Sequence, residues 1–269
     1  MKVLVTTDGE PHSEHGIVVF AAVADRGAEV EVVSINSFDV SLKIAAGSGP
    51  GAHYDPEAGR QRCQAAVDGA VTTLAATGFS ATGRVAEGDP ATEIMQIATD
   101  GAFDLIVMGA GSERWLDAVM LGSTSTSVLH HAPCSVLIAH TAVRAAGDRH
   151  HVLVATDGSD QAVLAAQRLA DLADPARCDV RVVAVDQDGQ HPAAAAAAIG
   201  VVAKVLEDAA LTMSSAVLSG RPARTLLQEA KDHTLVVVGA TGEGGRARVA
   251  LGSVSDKLAG HAPATLVGR

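Results

Sequence analysis

Two stretches of this sequence combine glycine, serine and a carboxylate in a spacing suited to holding an anion. One is Thr156-Asp157-Gly158, directly after the apolar run His151–Ala155. The other is Gly239-Ala240-Thr241-Gly242, followed after nine residues by Gly252-Ser253 at the start of a helical segment. Glycines let backbone N–H groups approach an anion closely, a serine at a helix start offers a hydroxyl, and the helix N-terminus itself favours negative charge. The same two stretches stand earlier in the chain as Thr7-Asp8-Gly9 and as Gly109 followed by Gly122-Ser123. There, Ser112 occupies the place of the second glycine, Gly111 falls one residue early, and Glu10 replaces Ser159. Neither stretch carries a lysine or histidine placed as a general base. A GxxxxGK[ST] phosphate loop is missing, and the turn after the first strand has only Asp-Gly where a dinucleotide fold would need GxGxxG.

Plainer roles compete for the same residues. A glycine-rich loop often marks only a tight turn, and Asp8 and Asp157 could simply cap the following helix. His131 and His261 stand at helix ends before Ala-Pro, where imidazoles satisfy terminal carbonyls. His12 and His15 have i, i+3 spacing but no evident third metal ligand. Cys63, Cys134 and Cys178 form no CxxC pair or disulfide framework; reduced thiols are expected, with Cys134 buried and inert.

The elements that position these residues come in duplicate. VLVTTDGE at 3–10 returns as VLVATDGS at 152–159. Gly88-Asp89-Pro90 returns as Gly220-Arg221-Pro222, Leu121-Gly122-Ser123 as Leu251-Gly252-Ser253, and His131-Ala132-Pro133 as His261-Ala262-Pro263. Matched blocks in one order mean two copies of one domain: 1–141, a linker at 142–150, and 151–269. The first copy carries an insertion, Ser37–Gly59, whose Gly, Ser and Pro content reads as a long loop. Within it, Lys2–Thr6, Glu29–Ile35, Ala81–Ala86, Asp104–Met108 and Cys134–Ala139 read as strands. A segment from Pro11 to near Gly27, then Pro56–Ala76, Pro90–Thr99 and Ser123–His131, read as helices. This alternation predicts an α/β fold, each copy a five-stranded parallel sheet with helices on both faces.

Composition agrees. The 269 residues are 48% hydrophobic, with one Trp, one Tyr and four Phe, which suits an aliphatic parallel-sheet core and provides few platforms for stacking nucleic acid bases. A net charge of −11 repels phosphate backbones and anionic membranes. The chain enters a strand at Val3 without a leader, and its most apolar helical stretch, Ala193–Ala203, is too short to span a bilayer. A cytoplasmic protein with no nucleic acid or membrane partner is expected.

In their order, Gly239-x2-Gly242-x9-Gly252-Ser253, the Asp-Gly after the first strand, Gly-x-Pro and His-Ala-Pro resemble the blocks of the universal stress protein family, twice over and across nearly the whole chain. The resemblance implies an adenine nucleotide alpha hydrolase-like sheet of order 3-2-1-4-5 in each copy. It also implies ATP, with Mg²⁺, lying across strands one and four. Thr156 and Asp157 would then sit near the adenosine or the metal and Val185 against the adenine. Gly239, Gly242, Gly252, Ser253, Val254 and Ser255 would surround ribose and phosphates. The counterparts in the first copy are Thr7, Asp8, Ile35, Gly109, Ser112, Gly122, Ser123, Thr124 and Ser125, where Ser112 and Glu10 make the poorer site. The family's habit of binding ATP more than consuming it implies a regulatory ligand in a stress response. The rivals are a protein acting by protein contacts alone and a slow ATPase. The resemblance further implies packing of the copies through their last strands, as in a homodimer, and leaves pairing of whole chains or a protein partner open.

Overall fold

The computed structural model describes residues 1–37, 55–111, 121–141, 149–242 and 251–269. The first half runs β1 (Lys2–Thr6), α1 (Pro11–Val23), β2 (Glu29–Asn36), α2 (Pro56–Ala76), β3 (Ala81–Glu87), α3 (Pro90–Asp100), β4 (Leu105–Gly109), α4 (Ser123–His131) and β5 (Ser135–Ala139). The second repeats it as β6 (His150–Ala155), α5 (Asp160–Leu172), β7 (Cys178–Asp186), α6 (Pro192–Asp208), β8 (Thr212–Ser219), α7 (Pro222–Glu229), β9 (Leu235–Gly239), α8 (Ser253–His261) and β10 (Ala264–Gly268). Proline opens five of these helices, α1, α2, α3, α6 and α7. Its fixed φ fits the first turn, and its missing N–H costs nothing there.

The ten strands form one sheet, ordered β3-β2-β1-β4-β5-β10-β9-β6-β7-β8. Each half is parallel and has the expected order 3-2-1-4-5. The halves meet where β5 and β10 pair antiparallel, with Leu137 opposite Leu266 and Val136 opposite Val267. The inner strands β4, β5, β9 and β10 are buried along their whole length. Helices on both faces leave them no solvated side, which is why they read as unbroken apolar runs. Two core layers result, one per face, and both cross the seam. Val5, Val107 and Leu137 share a layer with Leu266, Val237 and Val154. Leu4, Ile106 and Val136 share the other with Val267, Val236 and Leu153.

Helix α1 stops at Val23, before the expected end near Gly27. Ala24 turns extended and bridges Ala173 of the other half, while the Asp25 N–H donates to the Leu172 carbonyl at 2.8 Å and the Asp174 N–H to the Val23 carbonyl at 2.9 Å. A contact remote in sequence therefore ends the helix. The insertion expected over Ser37–Gly59 also ends earlier. Asp55 accepts hydrogen bonds from the Glu57 and Ala58 N–H groups and starts α2 at Pro56. At the seam, Arg269 donates to the Leu129 and Ala132 carbonyls at the end of α4. His140 donates through Nε2 to the Ala259 carbonyl at 2.7 Å. Among the described residues no helix is long and apolar enough to cross a membrane.

Candidate functional site

In both halves the strand order reverses between the first and fourth strands, so β1/β4 and β6/β9 each splay their following loops apart at the C-terminal ends. Open α/β sheets hold ligands at this switch point. In the second half, Thr156 is buried and its Oγ1 accepts the Gly158 N–H at 3.0 Å; Asp157 Oδ1 accepts the Ser159 N–H at 3.0 Å. These side chains fold the loop tightly into α5, and Gly158 takes φ +83° at the crossing. Ser159, not Asp157, is the helix cap, accepting the Ala162 N–H at 3.3 Å. Asp157 thus has a local task, yet its second oxygen lies toward the other loop. A Cβ added to Gly242 would stand 2.3 Å from Asp157 Oδ2. The loop after β6 and the loop after β9 meet at that carboxylate.

The three signature glycines do different things. A Cβ on Gly239 would meet Gln161 C at 2.6 Å and Ala162 N at 2.8 Å, so this glycine admits the first turn of α5 against the end of β9. Gly242 is exposed and makes room for Asp157. Gly252 precedes α8 and has only ordinary contacts, the nearest at 3.4 Å. It offers no side-chain cap, so the first-turn N–H groups of Ser253, Val254 and Ser255 lack the usual internal acceptor. Ser253 is exposed and Val254 half-buried. The Ser255 hydroxyl is buried and donates to the Gly239 carbonyl at 2.7 Å. It ties the helix start to the strand end. Val185 is half-buried near the end of β7, beside the same opening.

A model of the universal stress protein family matches residues 1–140 and again 148–267. The chain belongs to the universal stress protein family. A family member from Mycolicibacterium smegmatis is 34% identical over 174 residues, and one from Mycobacterium tuberculosis is 35% identical over 173. The chain spans a little over half of these curated relatives, 58% and 57% of their length, and the matches take in 58% of the chain itself. The solved structure of a universal stress protein from Archaeoglobus fulgidus superposes with TM-score 0.70 at 20% identity, covering 100% of this chain and 98% of that one.

The other copy in this universal stress protein has the same scaffold with altered contacts. Thr7 Oγ1 accepts the Gly9 N–H at 3.1 Å, and Asp8 Oδ1 the Glu10 N–H at 3.0 Å. Ser125 donates to the Gly109 carbonyl at 3.0 Å, Gly122 leaves α4 uncapped, and Ile35 matches Val185. Ser123 is exposed and Thr124 half-buried at the start of α4. Here, however, the second Asp8 oxygen contacts His12 Nε2 at 3.2 Å. Gln161 takes the matching place in the second copy. Glu10 makes no cap; Ser13 donates to the Glu10 carbonyl at 2.8 Å instead. Gly111 adopts φ +66°, while Ser112 lies outside the described residues.

Reading the sequence missed Asp186. It is buried one residue past Val185, and its carboxylate accepts the Gly189 and His191 N–H groups at 3.1 and 2.9 Å. Asn36 stands at its place in the first copy, and the register of the repeat could have revealed the pair. The helix-end histidines have the contacts their positions suggest. His131 and His261 donate through Nδ1 to the Ser127 and Lys257 carbonyls at 2.9 and 3.0 Å. Burial pushes the Cys134 and Cys178 thiols up to about 11, which keeps them unreactive. Among the described residues no three His, Cys, Asp or Glu side chains cluster as a metal site.

Proposed function

We propose that this tandem universal stress protein binds ATP with Mg²⁺ as a regulatory ligand, at the switch point of its second copy. The observation that carries the reading is the meeting of the Asp157 carboxylate with Gly242, next to the uncapped start of α8. The phosphates take the Ser253, Val254 and Ser255 N–H groups, where the helix dipole favours negative charge. The adenine lies against Val185, and Thr156 shapes the turn below the ribose. Asp157 would supply the one protein carboxylate for Mg²⁺, a cation that nucleotide sites commonly hold with only one or two carboxylates. A bound ion would neutralise charge on the phosphates. We read the ligand as held rather than consumed, the ATPase assay below being the check. In the first copy Ser112 stands for the second signature glycine and Glu10 for Ser159, which supports a weaker site there. We place the protein in the cytoplasm, where ATP is abundant.

Calorimetric titration with Mg-ATP tests the reading. Saturable binding that Asp157→Ala weakens about tenfold or more, the scale of a lost charge-assisted contact, supports it. Binding indifferent to Asp157, or no binding, rejects it. A steady-state ATPase assay separates a held ligand from a consumed one.

A further inference from the structure

The two copies differ in charge on one helical face. In the first, Asp89, Thr92, Thr99 and Ser127 lie along α3 and α4. The matching residues of the second are Arg221, Arg224, Lys231 and Lys257. These four cations are exposed and line one concavity of about 430 Å³ between α7 and α8, with Leu227 and Gln228 in its wall. No carboxylate lines it. Among the described residues none of the four makes an ion pair, since nearby Glu229 pairs with Arg181 at 2.6 Å and Asp256 with His130 at 3.4 Å.

The exchange of Asp89 for Arg221 also runs against local structure. Asp89 caps α3, accepting the Thr92 N–H at 2.9 Å and its hydroxyl at 2.7 Å, whereas Arg221 caps nothing. A chain of net charge −11 has gathered four cations without a carboxylate partner in one hollow, Lys231 donating only to Gln228 Oε1 at 3.3 Å, and has no side-chain cap at Arg221. Local rules broken without structural gain mark functional positions.

We propose that this hollow is a second ligand site, taking a small anion with two or more phosphoryl groups. Guanidinium forks and ammonium groups together suit phosphoryl oxygens. An extended polyanion, a membrane or a nucleic acid strand would meet the acidic remainder of the surface. None of the lining residues belongs to the proposed ATP site, so the inference does not rest on it.

Titration of the ¹⁵N-labelled chain with inorganic tripolyphosphate, followed by NMR, is the test. We expect amide shifts over Arg221–Lys231 and around Lys257, with affinity falling steeply as salt rises. Replacing all four cations by their first-copy counterparts (R221D, R224T, K231T, K257S) should weaken that binding about tenfold or more, while an unchanged far-UV spectrum shows the fold intact. The single exposed changes Arg224→Thr and Lys231→Thr provide the same readout should the fourfold variant fold poorly. Shifts confined to Ser253–Ser255, an affinity the variants do not change, or binding to phosphatidylglycerol vesicles without binding to tripolyphosphate would each overturn the proposal.

Discussion

A methyl group on Gly239 would sit 2.6 Å from the Gln161 carbonyl carbon, whereas on Gly242 it would press only on the Asp157 carboxylate. The first neighbour is backbone and cannot move without shifting α5; the second is the tip of a side chain. Gly239→Ala should therefore lower unfolding free energy by roughly 1–3 kcal/mol, the usual cost of overpacking, as read from urea denaturation. Gly242→Ala should stay within about 0.5 kcal/mol of the parent and instead weaken Mg-ATP in calorimetry, because the carboxylate must swing aside. The reverse pattern would mean that the loop after β9 serves the fold alone. The sequence alone could not separate these glycines. Gly239 answers to a helix that starts far away in the chain, and only the packed structure brings Gln161 to it.

Helix α3 begins with Asp89 and its counterpart α7 with Arg221, so one element exists with and without its cap. Asp89→Ala should cost about 1 kcal/mol, and Arg221→Asp should recover part of a similar amount, since an N-cap carboxylate is worth that much at most helix starts. Thermal melts of both variants against the parent measure it; no loss from Asp89→Ala would show that tertiary packing alone holds α3. Elements were the most legible scale. Pro56 and Pro90 mark helix starts, and the apolar run Asp104–Met108, short and β-branched, reads as a buried strand. The end of α1 was not legible, because Ala24 answers to Ala173. The buried carboxylate of Asp186 serves a turn rather than any periodic pattern, so only the register of the repeat could have marked it.

The sheet and both core layers cross from one half to the other, so the two copies should unfold together. Scanning calorimetry is expected to show one transition with calorimetric and van't Hoff enthalpies in agreement. Leu266→Ala, at the seam opposite Leu137, should cost about 2–5 kcal/mol, and two separate transitions in the parent would contradict the shared core. The seam should also respond to acid. Burial lowers His140 from its ordinary 6.5, and His150 likewise. The folded state favours the neutral rings while the unfolded chain takes up protons first. Their contribution is present above about pH 6.5 and is lost as pH falls from there toward the folded-state values. Urea midpoints at pH 7.5 and 5.5 should show this loss, and His140→Gln should reduce it. The repeat told the reader of the sequence that there are two copies; that they share one sheet through β5 and β10 was there only as an implication of family resemblance. Whether the molecule is a nucleotide sensor rests on one quantity, the ATP bound per chain. Denaturing the freshly purified protein and quantifying released nucleotide by mass spectrometry, with Mg-ATP calorimetry on the same sample, measures it. About one ATP per chain, lost in Asp157→Ala, is the expected result; no released nucleotide and no heat of binding would contradict the proposed function.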